Sequence, residues 1–238
     1  MENKNSSSSR FSFTQTSPNI IKNARLREPQ RMAAAALDEH FNQSNDPALV
    51  HPPVGCGKTG LISLLPFTLG YERVLVVAPN LTIREALFDA VDSGSKNCFW
   101  RNMRVVPATP SGPFAAKLDG SGVNFNDCVQ SHFVVANVQQ VGQANSKWLK
   151  QFPNDFFDVI LLDGGHHNAA ISWKRLIEHF PNARVTSLTA TPFRADGKEV
   201  VGELVYRYSF LRAIARGYIK TLEAVNEQPR KLATRLGN

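Results

Sequence analysis

No stretch of this chain approaches the ~18 consecutive apolar residues that would cross a bilayer as a helix. The opening, Met1 to Arg10, is polar and Ser-rich, so it does not read as a secretory leader. Cysteine is scarce. Cys56, Cys98 and Cys128 are the 3 present, and their spacing fits neither a disulfide framework nor a metal knuckle. That usage predicts a reducing, cytoplasmic setting. There is no internal repeat. What remains is 238 residues, 42% hydrophobic and 20% charged, long enough to bury a full core without covalent staples. The net charge of +7 favours an anionic partner such as nucleic acid through phosphate contacts. A merely soluble basic protein is the plainer reading of the same number.

Residues 1–20 have little apolar content and include Ser6 to Ser9, which predicts a mobile arm. Periodic sequence follows. Helical stretches are expected at Arg31–Phe41, Ile83–Val91, Val138–Leu149, Ile171–Phe180 and Phe210–Tyr218. Continuous apolar runs at Arg73–Ala78, Phe133–Ala136, Asp158–Asp163 and Arg184–Thr189 read as buried strands. Such strands alternating with helices predict an α/β domain with a mostly parallel sheet covered on both faces. Pro107–Asn126, rich in Gly and Pro, reads as a loop or insertion.

Three constellations carry chemistry. His51-Pro52-Pro53-Val54-Gly55-Cys56-Gly57-Lys58-Thr59 follows the apolar run Ala48–Val50 and precedes an apolar helix-like run. Strand, Gly-rich loop, Lys-Thr and helix is the layout of a phosphate-binding loop. Glycines let consecutive backbone N–H groups close on an anion, and the following helix directs its positive end there. Lys58 supplies a mobile charge for β- and γ-phosphates, and Thr59 a hydroxyl for Mg²⁺. Pro52 stands where the strict pattern has Gly. The plainer reading is an ordinary strand-to-helix turn. Second, Asp163-Gly164-Gly165-His166-His167 ends the clearest strand, and Asp163 can hold Mg²⁺ from the opposite side. Its alternatives are a turn cap, or a transition-metal site shared with His166 and His167. Third, Thr189-Ala190-Thr191-Pro192 ends the next strand with small hydroxyl-bearing residues. Ligands of such sheets bind at the carboxyl ends of strands, so the loops after Val50, Asp163 and Thr189 must face one cleft.

In this order the motifs resemble the first RecA-like motor domain of superfamily 2 helicases, in the DEAH-like branch that includes the type III restriction subunit and UvrB-like helicases. The likeness runs from Leu26 to Thr221, giving a RecA-like domain over 21–221 and a basic segment over 222–238. The resemblance implies ATP and Mg²⁺ as ligands. Gln30 and Arg27 would contact the base. Gly55, Cys56, Gly57 and Lys58 would wrap the phosphates, and Thr59 and Asp163 would bracket the metal. Lys58, Asp163 and His166 would form the catalytic set, and Thr189 and Thr191 would couple it to strand movement. Asn80, Thr82 and Asn137 would meet the backbone of DNA or RNA, with DNA favoured.

Two departures stand against the pattern. The Glu that follows the motif II Asp, and activates the attacking water, is Gly164 here. The chain also stops where a second motor domain would begin, without the Gly-Arg-x-x-Arg type of sequence that supplies an arginine finger. The expectation is an ATP-binding helicase or translocase half that hydrolyses slowly, and that is a fragment, a relic or a partner-dependent chain. The rival is a non-enzymatic ATP-binding assembly module. A small-molecule kinase is the third reading, and it leaves Thr189–Pro192 unexplained.

Overall fold

A computed structural model describes residues 11–106, 112–118, 125–164, 169–191 and 201–219. His166, His167, Pro192 and the basic segment 222–238 lie outside these ranges. Seven strands form one sheet: β1 (Ala48–His51), β2 (Val74–Ala78), β3 (Ala115–Lys117), β4 (Phe133–Asn137), β5 (Val159–Asp163), β6 (Arg184–Leu188) and β7 (Glu203–Arg207). Their order is β3-β4-β2-β5-β6-β1-β7, and every pairing is parallel. The longer helices are α1 (Glu28–Gln43), α2 (Lys58–Leu69), α3 (Leu81–Val91) and α7 (Ala169–His179). The short ones are α4 (Phe99–Asn102), α5 (Phe125–Gln130), α6 (Val138–Val141) and α8 (Phe210–Ala215). None of the described helices is long and apolar enough to cross a membrane.

The continuous apolar strands follow from having both faces covered. In β2, Val74, Val76 and Ala78 pack with Leu37, Leu61, Leu65 and Leu87 on one face. Leu75 and Val77 pack with Trp173, Leu176 and Phe180 on the other. Alternation of Cβ direction divides one apolar run between two cores.

The expected α/β architecture is present, with local differences. The helix expected from Val138 to Leu149 stops at Val141. Gly142 caps it, and a separate 3₁₀ turn forms at Leu149–Gln151. Strand β3 lies within the stretch assigned to a loop, and β7 was not anticipated. β7 is an edge strand with Glu203, Leu204 and Arg207 exposed, so its sequence lacks the apolar continuity of its neighbours.

The mobile arm expected over 1–20 is corrected for residues 11–20. Phe13 is 1% exposed and Phe11 8%. Their rings meet Phe67 edge-on at 4.8 and 6.0 Å between centroids. His132 receives the Phe114 N–H at Nδ1, so Nε2 carries the proton donated to Phe11 O at 2.9 Å. Glu72 accepts from the backbone N–H groups of Phe13 and Thr14 and from the hydroxyls of Ser12 and Thr14. Ser12 and Thr14, in a stretch whose low apolar content suggested disorder, here serve as donors to one carboxylate.

Phe13→Ala is expected to cost about 3–5 kcal/mol, the usual range for a buried Phe, read as a shift in urea midpoint; a mobile arm would give almost none. Burial raises the Glu72 pKa, but the donors from Ser12, Thr14 and Phe13 outweigh it and leave the group below its ordinary value. Its contribution is therefore complete above the unfolded pKa and is lost as pH falls through the folded one. Unfolding measured from about pH 6 to pH 3, spanning the reference Glu value near 4.3, should show an acid-side loss that Glu72→Gln abolishes.

Candidate nucleotide site

Parallel register places the three constellations together. Asp163 lies beside Leu188, and Leu188 beside Val50, across the contiguous strands β5, β6 and β1. Backbone hydrogen bonds stitch the loops just beyond. Gly164 N donates to Leu188 O at 2.8 Å, Thr189 N to Val50 O at 3.1 Å, and Tyr208 N to His51 O at 3.1 Å. The loops after Val50, Asp163 and Thr189 therefore leave one edge of the sheet, which facing a single cleft requires.

The loop between β1 and α2 turns on two glycines, Gly55 at φ +87° and Gly57 at φ +86°. An L-residue is disfavoured in that region. A β-carbon on Gly57 would also fall 2.5 Å from Gln30 Nε2. Lys58 opens α2, and Thr59 follows, exposed in its first turn. Lys58 Nζ lies 3.2 Å from Asp163 Oδ1, with side chains 26% and 8% exposed. That oxygen is buried and receives no directed hydrogen bond from Lys58 or any other donor among the described residues. A buried carboxylate oxygen with only a mobile ammonium for company fits a divalent cation held at the strand end. Thr59 and Asp163 are the residues that would hold it.

Other anticipated residues have work inside the fold. Gln30 is 4% exposed. Its Nε2 donates to Gly57 O and its Oε1 accepts from Arg27 N, each at 2.9 Å. The amide expected to read a base therefore braces the loop. Arg27 donates through Nη1 to Gly55 O, and its guanidinium sits 5.4 Å from the centroid of Tyr218. Cys56 is buried, and burial pushes its thiol up more than Arg27 draws it down. Its side chain packs against Tyr208 and Ala213. Thr189 is buried, and its hydroxyl accepts from Thr191 N at 3.1 Å, closing a tight turn. Asn80 is an exposed cap whose Oδ1 accepts from Ile83 N; Thr82 beside it is exposed. Asn137 departs from expectation. It is 6% exposed and caps α6, exchanging hydrogen bonds of 3.0 Å with Gln140. That makes it a structural cap with little surface for a phosphate.

Several participants carried no sequence signal. His51 Nε2 meets Ala190 O at 2.9 Å, tying the start of the loop to the Thr-Ala-Thr turn. A carbonyl only accepts, so Nε2 holds a proton, and the buried Nδ1 has no hydrogen-bond partner among the described residues. A cleft of ≈ 870 Å³ flanks the loop, lined by His51, Val54, Ala190, Arg207, Phe210 and Tyr218 among others. It lies on the β7 side, and neither Lys58 nor Asp163 lines it.

A parallel sheet with a glycine loop and Lys-Thr helix start after one strand, and an acidic end on the strand two places along, defines a P-loop nucleotide-binding type of domain. Residues 23–194 match the family described as type III restriction enzyme, res subunit, and the chain belongs to that family. A curated relative, an endonuclease subunit of the type I restriction enzyme EcoAI from Escherichia coli, is 27% identical over 111 residues. The match covers 44% of this chain and 14% of that protein. Among solved structures, the helicase domain of Hef from Pyrococcus furiosus superposes with TM-score 0.59 at 19% identity, covering 83% of this chain and 40% of that one. The Type ISP restriction-modification enzyme LlaGI, solved with a DNA substrate mimic, gives 0.56 at 18% identity, covering 81% and 20%. These neighbours establish the RecA-like helicase fold. The chain spans a small part of the length of the proteins it matches.

Removing one member of a buried ion pair is costlier than removing both. Lys58→Met is expected to destabilise by about 3 kcal/mol, at the lower end because Lys58 is partly solvated, and Lys58→Met with Asp163→Asn should recover most of that. Urea unfolding of the four-member cycle measures it.

Proposed function

We propose that this chain binds ATP with Mg²⁺ and nucleic acid as the first motor domain of a superfamily 2 helicase or translocase, and that it turns ATP over slowly. The Lys58–Asp163 contact, which reaches past the end of β6 to join the loop after β1 to the end of β5, carries this reading. Each charge is held where a triphosphate and its metal would replace the other as partner. The backbone N–H groups of residues 55–58 would wrap the phosphates, with Lys58 on the β and γ positions. Bound between Thr59 and Asp163, Mg²⁺ would supply charge neutralisation at the phosphate oxygens. His166 keeps the catalytic role that the family resemblance implies, as a proposal from sequence. DNA is favoured as the strand because one structural neighbour was solved with a DNA substrate mimic. Asn80 and Thr82, exposed at the start of α3, are the better candidates for its backbone.

Slow turnover is argued from Gly164. Glycine offers no proton acceptor, and a positioned general base is worth about 10²–10⁴ in rate. Its backbone sits at φ +85°, where an L-residue costs about 1–2 kcal/mol. The loop is therefore shaped for glycine, and inserting Glu must also bend the backbone. The non-enzymatic reading, ATP as a ligand of an assembly module, is favoured by the same observation.

Two measurements separate these readings. A fluorescent ATP analogue should bind the wild-type chain and lose at least about tenfold in affinity, ~1.4 kcal/mol, in Lys58→Ala; equal binding by both would defeat the nucleotide assignment. Phosphate release with single- and double-stranded DNA should stay well under ~1 s⁻¹, the low end for working enzymes. Faster DNA-stimulated release by the unaltered chain, or release equal to that of Gly164→Glu when that variant is fully active, would show that the water is activated elsewhere.

A further inference from the structure

The contacts of Glu28 are absorbed neither by the nucleotide site nor by the core. This residue opens α1, where a carboxylate is already favoured by the helix dipole. Groups from the far end of the described chain converge on it. Tyr208 Oη donates to Oε2 at 3.2 Å, Arg216 Nε lies 3.4 Å from the same oxygen, and Arg212 Nη2 meets Oε1. The Glu28 backbone N–H points at Tyr218 Oη at 3.3 Å. Arg212 and Arg216 stand four residues apart around α8 and its C-cap, so one carboxylate can meet both.

The segment so gathered has few other anchors. Helix α8 has six residues, too few to persist alone. Phe210 and Leu211 are 58% and 77% exposed, while Ala213 and Tyr208 are buried in a small cluster with Cys56. Cys56 belongs to the phosphate loop. The segment also lies directly on that loop. A β-carbon on Gly55 would stand 2.6 Å from Tyr218 O. Arg27 spans the two, donating to Gly55 O beneath the Tyr218 ring. Burial and the neighbouring Glu28 carboxylate both raise the Tyr208 pKa, which keeps its hydroxyl a donor.

We infer that residues 208–219 form a strap across the outer side of the phosphate loop, and that Glu28 is the positioning residue that fastens it. Gln30 braces the loop from within through Gly57 O, and the strap braces it from without at Gly55 and Cys56. Exposed ion pairs contribute little singly. Here several converge on one carboxylate and hold an element with little burial of its own. The strap's effect is to keep the two left-handed glycines in the arrangement that receives a phosphate. By reciprocity, a ligand that prefers this arrangement tightens the strap. The nucleotide arm of the test rests on the proposed ATP site; the exchange arm does not.

Hydrogen exchange is followed for peptides covering 52–58 and 208–219 in wild type, Glu28→Ala, Tyr218→Ala and Tyr218→Phe, alongside titration with a fluorescent ATP analogue. Glu28→Ala and Tyr218→Ala should speed exchange in both peptides. They should weaken the analogue by roughly tenfold, within the usual range of such couplings. Tyr218→Phe, which keeps the ring under Arg27, should stay near wild type, and the analogue should slow exchange of 208–219 in wild type. If peptide 208–219 loosens while 52–58 and the affinity are unchanged, the strap is only a surface packing element and the inference fails. If wild type binds no analogue but loop exchange still follows the strap, the ATP reading fails and the strap stands.

Discussion

The ammonium of Lys58 against the carboxylate of Asp163 is the interaction on which the rest of this domain turns. At 3.2 Å, with the carboxylate oxygen buried and undirected by any hydrogen bond, the pair is close in Coulomb terms and poor in hydrogen-bond terms. Burying two charges costs about as much as their attraction returns unless further donors satisfy them. A fold does not place such a pair for stability. Its position is dictated by the sheet: β5, β6 and β1 are contiguous, parallel and in register at Asp163, Leu188 and Val50.

That register also explains why the three loops act as one edge. The first residues past β5, β6 and β7, which are Gly164, Thr189 and Tyr208, each donate an N–H to the adjacent strand. Movement of any one loop pulls on its neighbour through a backbone bond. His51, bonded to Ala190 O, adds a side-chain tie between the phosphate loop and the Thr-Ala-Thr turn.

Gly164 stands where the family resemblance implies a glutamate. Glycine offers no proton acceptor there, and the φ of +85° is a backbone form suited to glycine. An acidic residue restored at this position meets conformational resistance in addition to having to find its water.

The sequence alone determined the α/β class, the phosphate loop, the acidic strand end and the Thr-Ala-Thr turn, because each is written in a local pattern: an apolar run, then a glycine, acid or hydroxyl at fixed spacing. It could not show that Gln30 braces the loop, that Asn137 is a buried cap, or that Phe11 and Phe13 anchor a Ser-rich stretch in the core. Those roles depend on partners 27 to 121 residues away or on a cap that any Asn could form. Edge strand β7 stayed hidden because half-exposure erases the apolar run that reveals its buried neighbours. Tertiary structure alone decided that the far end of the described chain returns to Glu28 and rests on Gly55. Composition records which charges exist, and only folding decides which of them meet.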